Sequence, residues 1–164
     1  MKKRNLFLIA INLVLVLAFF AWSVYQKEQT LKNGKIVLLE LAPVDPRSLF
    51  QGDYMRLDYA ISRSQNHDSI PVKGYFVIVP DSNGVAKKIR VQEKPEPLAE
   101  GELPLRYTVV KDMFVKVGAD SYFFQEGLAD YDSARYGGLK VDKNGEGILI
   151  GLYDNKFSLI RPAR

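Results

Sequence analysis

Residues 6–25 (LFLIAINLVLVLAFFAWSVY) carry no charge, and Asn12 and Ser23 are the only plainly polar side chains among them. No other feature constrains the chain as much. At about 1.5 Å of rise per residue the run makes a helix of roughly 30 Å, the thickness of a bilayer's hydrocarbon. A buried helix of a small globular domain keeps a polar face, yet Leu6, Phe7, Leu8, Ile9, Ala10 and Ile11 are consecutive and leave none. The run therefore predicts a single transmembrane helix in a lipid bilayer. Trp22 and Tyr25 stand where amphipathic rings are favoured, at the headgroup level.

Lys2, Lys3 and Arg4 crowd the short N-terminal side, so the positive-inside rule keeps that end in the cytoplasm and puts the rest outside, in the periplasm or the extracellular space. A cleaved signal peptide is the competing reading. Residues 1–4 would be its basic region and Ala21-Trp22-Ser23 its cleavage site, which would release a soluble secreted binding module. Apolar character that continues to Tyr25, with the bulky Trp22 and Val24 at the cut, favours an uncleaved anchor. Both readings export the domain.

The predicted organisation is a cytoplasmic tip and anchor (1–25), a juxtamembrane stalk (26–34, QKEQTLKNG, ending in the turn pair Asn33-Gly34) and one exported domain (35–164). Three of the 23 basic residues belong to the anchor, leaving 20 Lys plus Arg against 19 Asp plus Glu. Those charges alternate, as in Lys87-Lys88-Ile89-Arg90-Val91-Gln92-Glu93-Lys94, so no basic face for nucleic acid is expected. The chain has no cysteine, which excludes disulfides, thiol catalysis and thiolate metal sites.

Residues 35–41 (KIVLLEL) read as a strand that ends before Pro43 and Pro46. Residues 53–61 alternate, with Met55, Leu57, Tyr59 and Ile61 on one face and Tyr54, Arg56 and Asp58 on the other, as a half-buried strand requires. Residues 72–79 and 85–91 read as a hairpin turned at 80–84. A proline- and glutamate-rich loop (94–104) precedes strands over 105–117 and 121–124, broken at 118–120. Residues 128–136 predict one short helix stopped by Gly137-Gly138, and 139–141 with 147–153 a final hairpin. The fold class expected is mainly β: the anchor helix plus an antiparallel barrel-like or sandwich domain with one short helix.

Residues 52–59 read Gly52-Asp53-Tyr54-Met55-Arg56-Leu57-Asp58-Tyr59, and GDYMRLDY resembles the signature of the GDYXXLXY family of bacterial membrane-anchored proteins at every specified position. The resemblance extends to residues 43–50 (PVDPRSLF), to Tyr122-Phe123-Phe124 with Glu126-Gly127, and to Ala134-Arg135-Tyr136-Gly137, with Gln125 where the family usually has proline. It implies an exported, membrane-attached protein acting beside a multi-pass membrane protein, and it supplies no activity. Physically, Asp45-Pro46-Arg47 forces extended backbone and Gly52 permits the reversal that launches the strand at Asp53. Two roles are open: a corner in which Asp53 caps backbone N–H groups while Leu57 and Tyr59 point inward, or a patch where Asp45, Arg47, Asp53, Tyr54 and Arg56 dock a partner.

Glu126, Asp130, Asp132 and Arg135 invite an acid–base or cation-binding reading, but helix-surface pairing of Tyr131 and Asp132 with Arg135 explains them as well. His67 is the only histidine and sits in a polar loop, too little for a zinc site. A Ser-Lys signal-peptidase-like hydrolase needs a serine just before the proline; Leu41 and Ala42 precede Pro43, which leaves Ser48 as its one candidate nucleophile. No triad, phosphate loop or dinucleotide fingerprint stands in the sequence, so no cofactor is expected and the reading is a non-catalytic interaction domain.

Overall fold

The computed structural model describes residues 3–42, 54–63, 70–110, 114–123 and 131–161. Helix α1 (Lys3–Asn33) continues the apolar run without a break through the segment expected to be a stalk. Its large side chains from Phe7 to Tyr25 are exposed, and Phe7–Asn33 is long and apolar enough to cross a membrane. Glu28 and Lys32 pair across one turn at 2.9 Å and help explain why a polar sequence stays helical here.

The chain leaves α1 at Gly34, whose N–H still donates to the Thr30 carbonyl at 2.9 Å. An added Cβ at Gly34 would meet that carbonyl oxygen at 2.4 Å, so the passage from helix to strand needs glycine. Strand β1 (Lys35–Glu40) follows. It pairs antiparallel with β8 (Tyr136–Val141), which pairs with β9 (Gly147–Tyr153), giving the sheet order β1-β8-β9.

A four-stranded antiparallel sheet has the order β4-β3-β5-β6, from β3 (Lys73–Pro80), β4 (Ala86–Gln92), β5 (Leu103–Val110) and β6 (Phe114–Lys116). A two-stranded ladder joins β2 (Tyr54–Arg56) to β7 (Ser121–Phe123). Phe76, Ile78, Leu105 and Tyr107 from the larger sheet bury against Val37, Leu39, Leu139 and Leu152 from the smaller, making one core. Among the described residues the sheets do not close into a barrel.

Three expectations are corrected by these elements. The run 105–117 is not one strand but two, because β5 and β6 pair antiparallel, with Thr108 opposite Lys116. The strand expected over 53–61 stops at Arg56, and Ala60–Arg63 form the short helix α2. Where a helix is expected over 128–136, the described residues 131–136 hold a 3-10 turn at Tyr131–Ser133, while Tyr136, Gly137 and Gly138 belong to β8. Leu128 and Asp130 lie outside the described residues.

One aspartate builds each of three hairpin turns. Asp81 Oδ1 accepts from the N–H groups of Asn83 and Val85, Asp142 Oδ1 from those of Asn144 and Glu146, and Asp154 Oδ1 from those of Lys156 and Ser158, all at 2.8–3.0 Å. Such side-chain bonds stand in for the ladder bonds that the reversal interrupts.

Candidate functional site

The second half of the GDYMRLDY octet forms a packed corner. Arg56 is the last residue of β2, opposite Ser121 of β7. Beyond it the ladder ends, and the bend at 118–120 takes over the partnering: Leu57 N–H donates to the Asp120 carbonyl at 2.9 Å, and Tyr59 Oη donates to the Ala119 carbonyl at 2.6 Å. Leu57 and Tyr59 keep the inward alternation of a strand after the strand itself has stopped, with Tyr59 only 1% exposed. Ala60–Arg63 then turn away, and Ser62 N–H and Arg63 N–H both donate to the Tyr59 carbonyl.

Tyr59 is also pinned from β8. An added Cβ at Gly137 would meet Tyr59 Cε1 at 2.9 Å and Oη at 3.0 Å, so the ring occupies the space a side chain at 137 would need. Burial pushes the Tyr59 phenol well above its ordinary range, and the nearby Asp120 charge adds to the shift. Asp120 itself is held above the usual carboxylate value by burial, against the opposing pull of the Val117 N–H and of the Lys116, Gly118 and Arg56 groups. The corner therefore holds a neutral hydrogen-bonded phenol, which suits structure better than acid–base work.

Arg135 meets the same corner through its backbone. Leu41 N–H donates to the Arg135 carbonyl and Arg135 N–H donates to the Tyr153 carbonyl, both at 2.8 Å, while Ala42 N–H donates to the Asp58 carbonyl. Its exposed guanidinium reaches the Ala134 carbonyl at 3.1 Å. Arg135 stands after the 3-10 turn, in backbone leading into β8, so the helix expected to carry it is absent there. Asp58 pairs with Arg63 at 2.8 Å, leaving a charged rim on a buried floor.

The structure thus brings together Arg56, Leu57, Tyr59 and Arg135, and it places Tyr54 in β2 by its backbone. Asp45, Arg47, Ser48, Gly52, Asp53, His67 and Glu126 lie outside the described residues. Among the described residues no three His, Cys, Asp or Glu side chains are grouped to hold a metal ion. Sequence reasoning missed Ala119, Asp120 and Gly137 as members of the corner. The Gly137-Gly138 pair was the available signal, but it reads equally well as a helix stop.

The profile of the GDYXXLXY protein family matches residues 16–152. The chain belongs to the GDYXXLXY family. No curated protein and no solved structure matches it. The GDYXXLXY match begins inside α1 and ends in β9, so it takes in the corner and also the junction between helix and domain.

That junction is built of side chains. Thr30, 3% exposed, donates through Oγ1 to Asp142 Oδ2 at 2.9 Å. Glu146 bridges Lys27 of α1 at 3.2 Å and Arg106 of β5 at 2.6 Å. Burial pushes Glu146 upward, but the hydrogen bonds and charges of Arg106 and Lys27 outweigh it and hold the carboxyl below its ordinary value. Lys140 donates to the Leu31 carbonyl, satisfying an acceptor at the negative end of the helix.

Proposed function

We propose that this GDYXXLXY protein is an accessory domain anchored on the outer face of the cytoplasmic membrane, where it docks with another membrane protein. The observation that carries the reading is the junction just described: Thr30, Lys27 and Leu31 tie the end of an exposed apolar helix to Asp142, Glu146 and Lys140 of the β-domain. A domain that merely needs export gains nothing from such a mount. A domain that meets a second membrane protein gains effective concentration and a set orientation, and both reduce the entropy cost of association. The rim of the corner, with Arg56, Arg63 and Arg135 exposed over a rigid floor, offers the residue type that commonly anchors interfaces. Lys2, Lys3 and Arg4 set the orientation.

Two measurements test this. A reporter fused after Arg164 is expected to be active only outside the cytoplasm, and protection of the domain from protease in spheroplasts overturns the orientation. Crosslinking in native membranes followed by purification is expected to recover a membrane protein. Replacing 6–25 with an unrelated apolar helix should weaken that recovery, with Asn12→Leu reproducing part of the loss through a missing interhelical hydrogen bond. Normal function of a soluble secreted form would replace the proposal with a freely diffusing binding module.

A further inference from the structure

Between the last turns of α1 and the β-domain lies a cleft of about 1020 Å³. Its lining reaches from Trp22 to Asn33 of α1, about 16 Å along the helix axis. Trp22 and Tyr25, with Leu98, Leu103 and Pro104 of the domain, supply apolar walls. The charges balance, Lys27, Lys35 and Lys143 standing against Glu96, Asp142 and Glu146, so the cleft suits an occupant without net charge. A lipid headgroup or a small anion would leave much of its length uncovered. A helix about 10 Å across and 16 Å long takes roughly 1250 Å³, so the cleft holds most of two to three helical turns.

The phase of α1 ties this cleft to the apolar span. Asn12 and Thr30 are 18 residues apart, five turns at 3.6 residues each, so Asn12 lies on the side of the helix where Thr30 meets the domain. Followed toward the N-terminus at helical spacing, the cleft residues Gln26 and Trp22 continue as Phe19, Leu15, Asn12 and Leu8. All four are exposed. An amide in hydrocarbon carries two donors and an acceptor, and such groups hydrogen-bond across to a neighbouring helix.

We infer that a transmembrane helix of another protein lies along Leu8, Asn12, Leu15 and Phe19 and seats its outer turns in this cleft. The inference rests on the membrane-docking reading and names the surface that reading uses. The absence of net charge and the length of the cleft match the end of an apolar span, and the line from Asn12 to Trp22 leads such a span into it. A second copy of the chain is disfavoured by the mount. Two chains pairing through Asn12 would each bring a β-domain, carried on that same side, onto the shared axis.

The test places the photocrosslinking residue benzoylphenylalanine singly in the full chain in native membranes. The positions are Leu8, Leu15 and Phe19, then Leu13, Leu17 and Val24 on the opposite side of α1, and Leu98 in the cleft. All six helix positions are exposed, so a periodic pattern does not come from unequal access. Leu8, Leu15, Phe19 and Leu98 are expected to crosslink to one membrane protein, at a single apolar span and its outer flank, while Leu13, Leu17 and Val24 label lipid alone. Asn12→Leu should lower the protein crosslinks from Leu15 and Leu98 together, by about threefold. Equal protein crosslinking from both sides of α1, or no effect of Asn12→Leu, overturns the assigned face. Crosslinks along α1 without Leu98, or from Leu98 to a different protein, overturn the cleft as the seat and leave membrane docking intact. A product containing only this chain overturns the foreign helix in favour of a second copy. No protein crosslink from any position overturns the docking reading itself.

Discussion

Replacing Tyr59 by Phe removes one oxygen and tests whether the octet is a structural corner. Tyr59 is 1% exposed and Ala119 5% exposed, so no water is placed to replace the lost donor, and the Ala119 carbonyl is left without its 2.6 Å partner. An orphaned buried acceptor costs about 1–3 kcal/mol, which for a chain of this size lowers the melting temperature by about 2–4 °C per kcal/mol. Thermal unfolding of the full chain in mild detergent, followed by circular dichroism, reads the change. Arg56→Ala and Arg135→Ala, on exposed side chains at the same corner, should stay within about 0.5 kcal/mol of the parent. The pH dependence adds a second check. The folded phenol titrates above its ordinary value, so the stability it contributes is fully present below pH 10.0 and declines as pH rises beyond it. The gap between parent and Tyr59→Phe should therefore be flat through neutral pH and narrow in strong alkali. If Tyr59→Phe melts with the parent while the arginine variants are the unstable ones, the corner reading is wrong and Tyr59 belongs to a binding surface.

Two further outcomes follow from the junction and the bend. Thr30→Val keeps the shape but strips Asp142 Oδ2 of its hydroxyl donor, so the helix end should open more often, at a cost of about 1.5–3 kcal/mol, and trypsin should cut after Lys27 and Lys32 faster; unchanged cleavage would show that the Lys27–Glu146 pair and the Lys140–Leu31 bond hold the junction without Thr30. Asp120→Asn should stabilise the protein at neutral pH, because a carboxyl whose folded value is raised favours folding in its protonated form and loses that contribution as pH rises; the gain should vanish below pH 3.8, and a destabilised Asp120→Asn at neutral pH would refute burial as the dominant influence on that group.

Much of this architecture was legible in the residues because two periodicities dominate it. The uncharged run at 6–25 is helical, the Asp81 and Asp142 turns sit where Asn-Gly pairs promise them, and Leu57 and Tyr59 face inward as their alternation predicts. The misreadings share one physical cause, that local pattern does not reveal where hydrogen-bond partners come from. Residues 57–59 look like continuing strand, yet the bend at Ala119 and Asp120 supplies their partners in place of a ladder. Residues 26–33 read as a juxtamembrane stalk because they are polar, and that pattern does not reveal that Thr30 is buried by a turn 112 positions away in sequence. Tyr136, Gly137 and Gly138 look like a helix stop, yet they pair with β1 and β9 and make room for the rings of Tyr59 and Tyr153. Of the predicted site, only the side chains of Arg56, Leu57, Tyr59 and Arg135 are located by the structure, and only their backbone and packing roles follow from it.

Asp142 holds its own turn with one oxygen and Thr30 with the other, so the hairpin of β8 and β9 has no joint separating it from α1. With the helix in a bilayer, the domain then behaves as the arm of a lever whose fulcrum is the headgroup layer. Transmembrane helices tilt by about 20° on average, and the tilt responds to hydrocarbon thickness. The helix runs about 12 Å from Tyr25 to its end at Asn33, so a tilt of that size about the headgroup level carries the helix end, and the domain mounted on it, sideways by about 4 Å. In the proposed docking, the thickness of the membrane thereby sets where the domain stands, and a partner in a thin bilayer meets it at a different place from one in a thick bilayer.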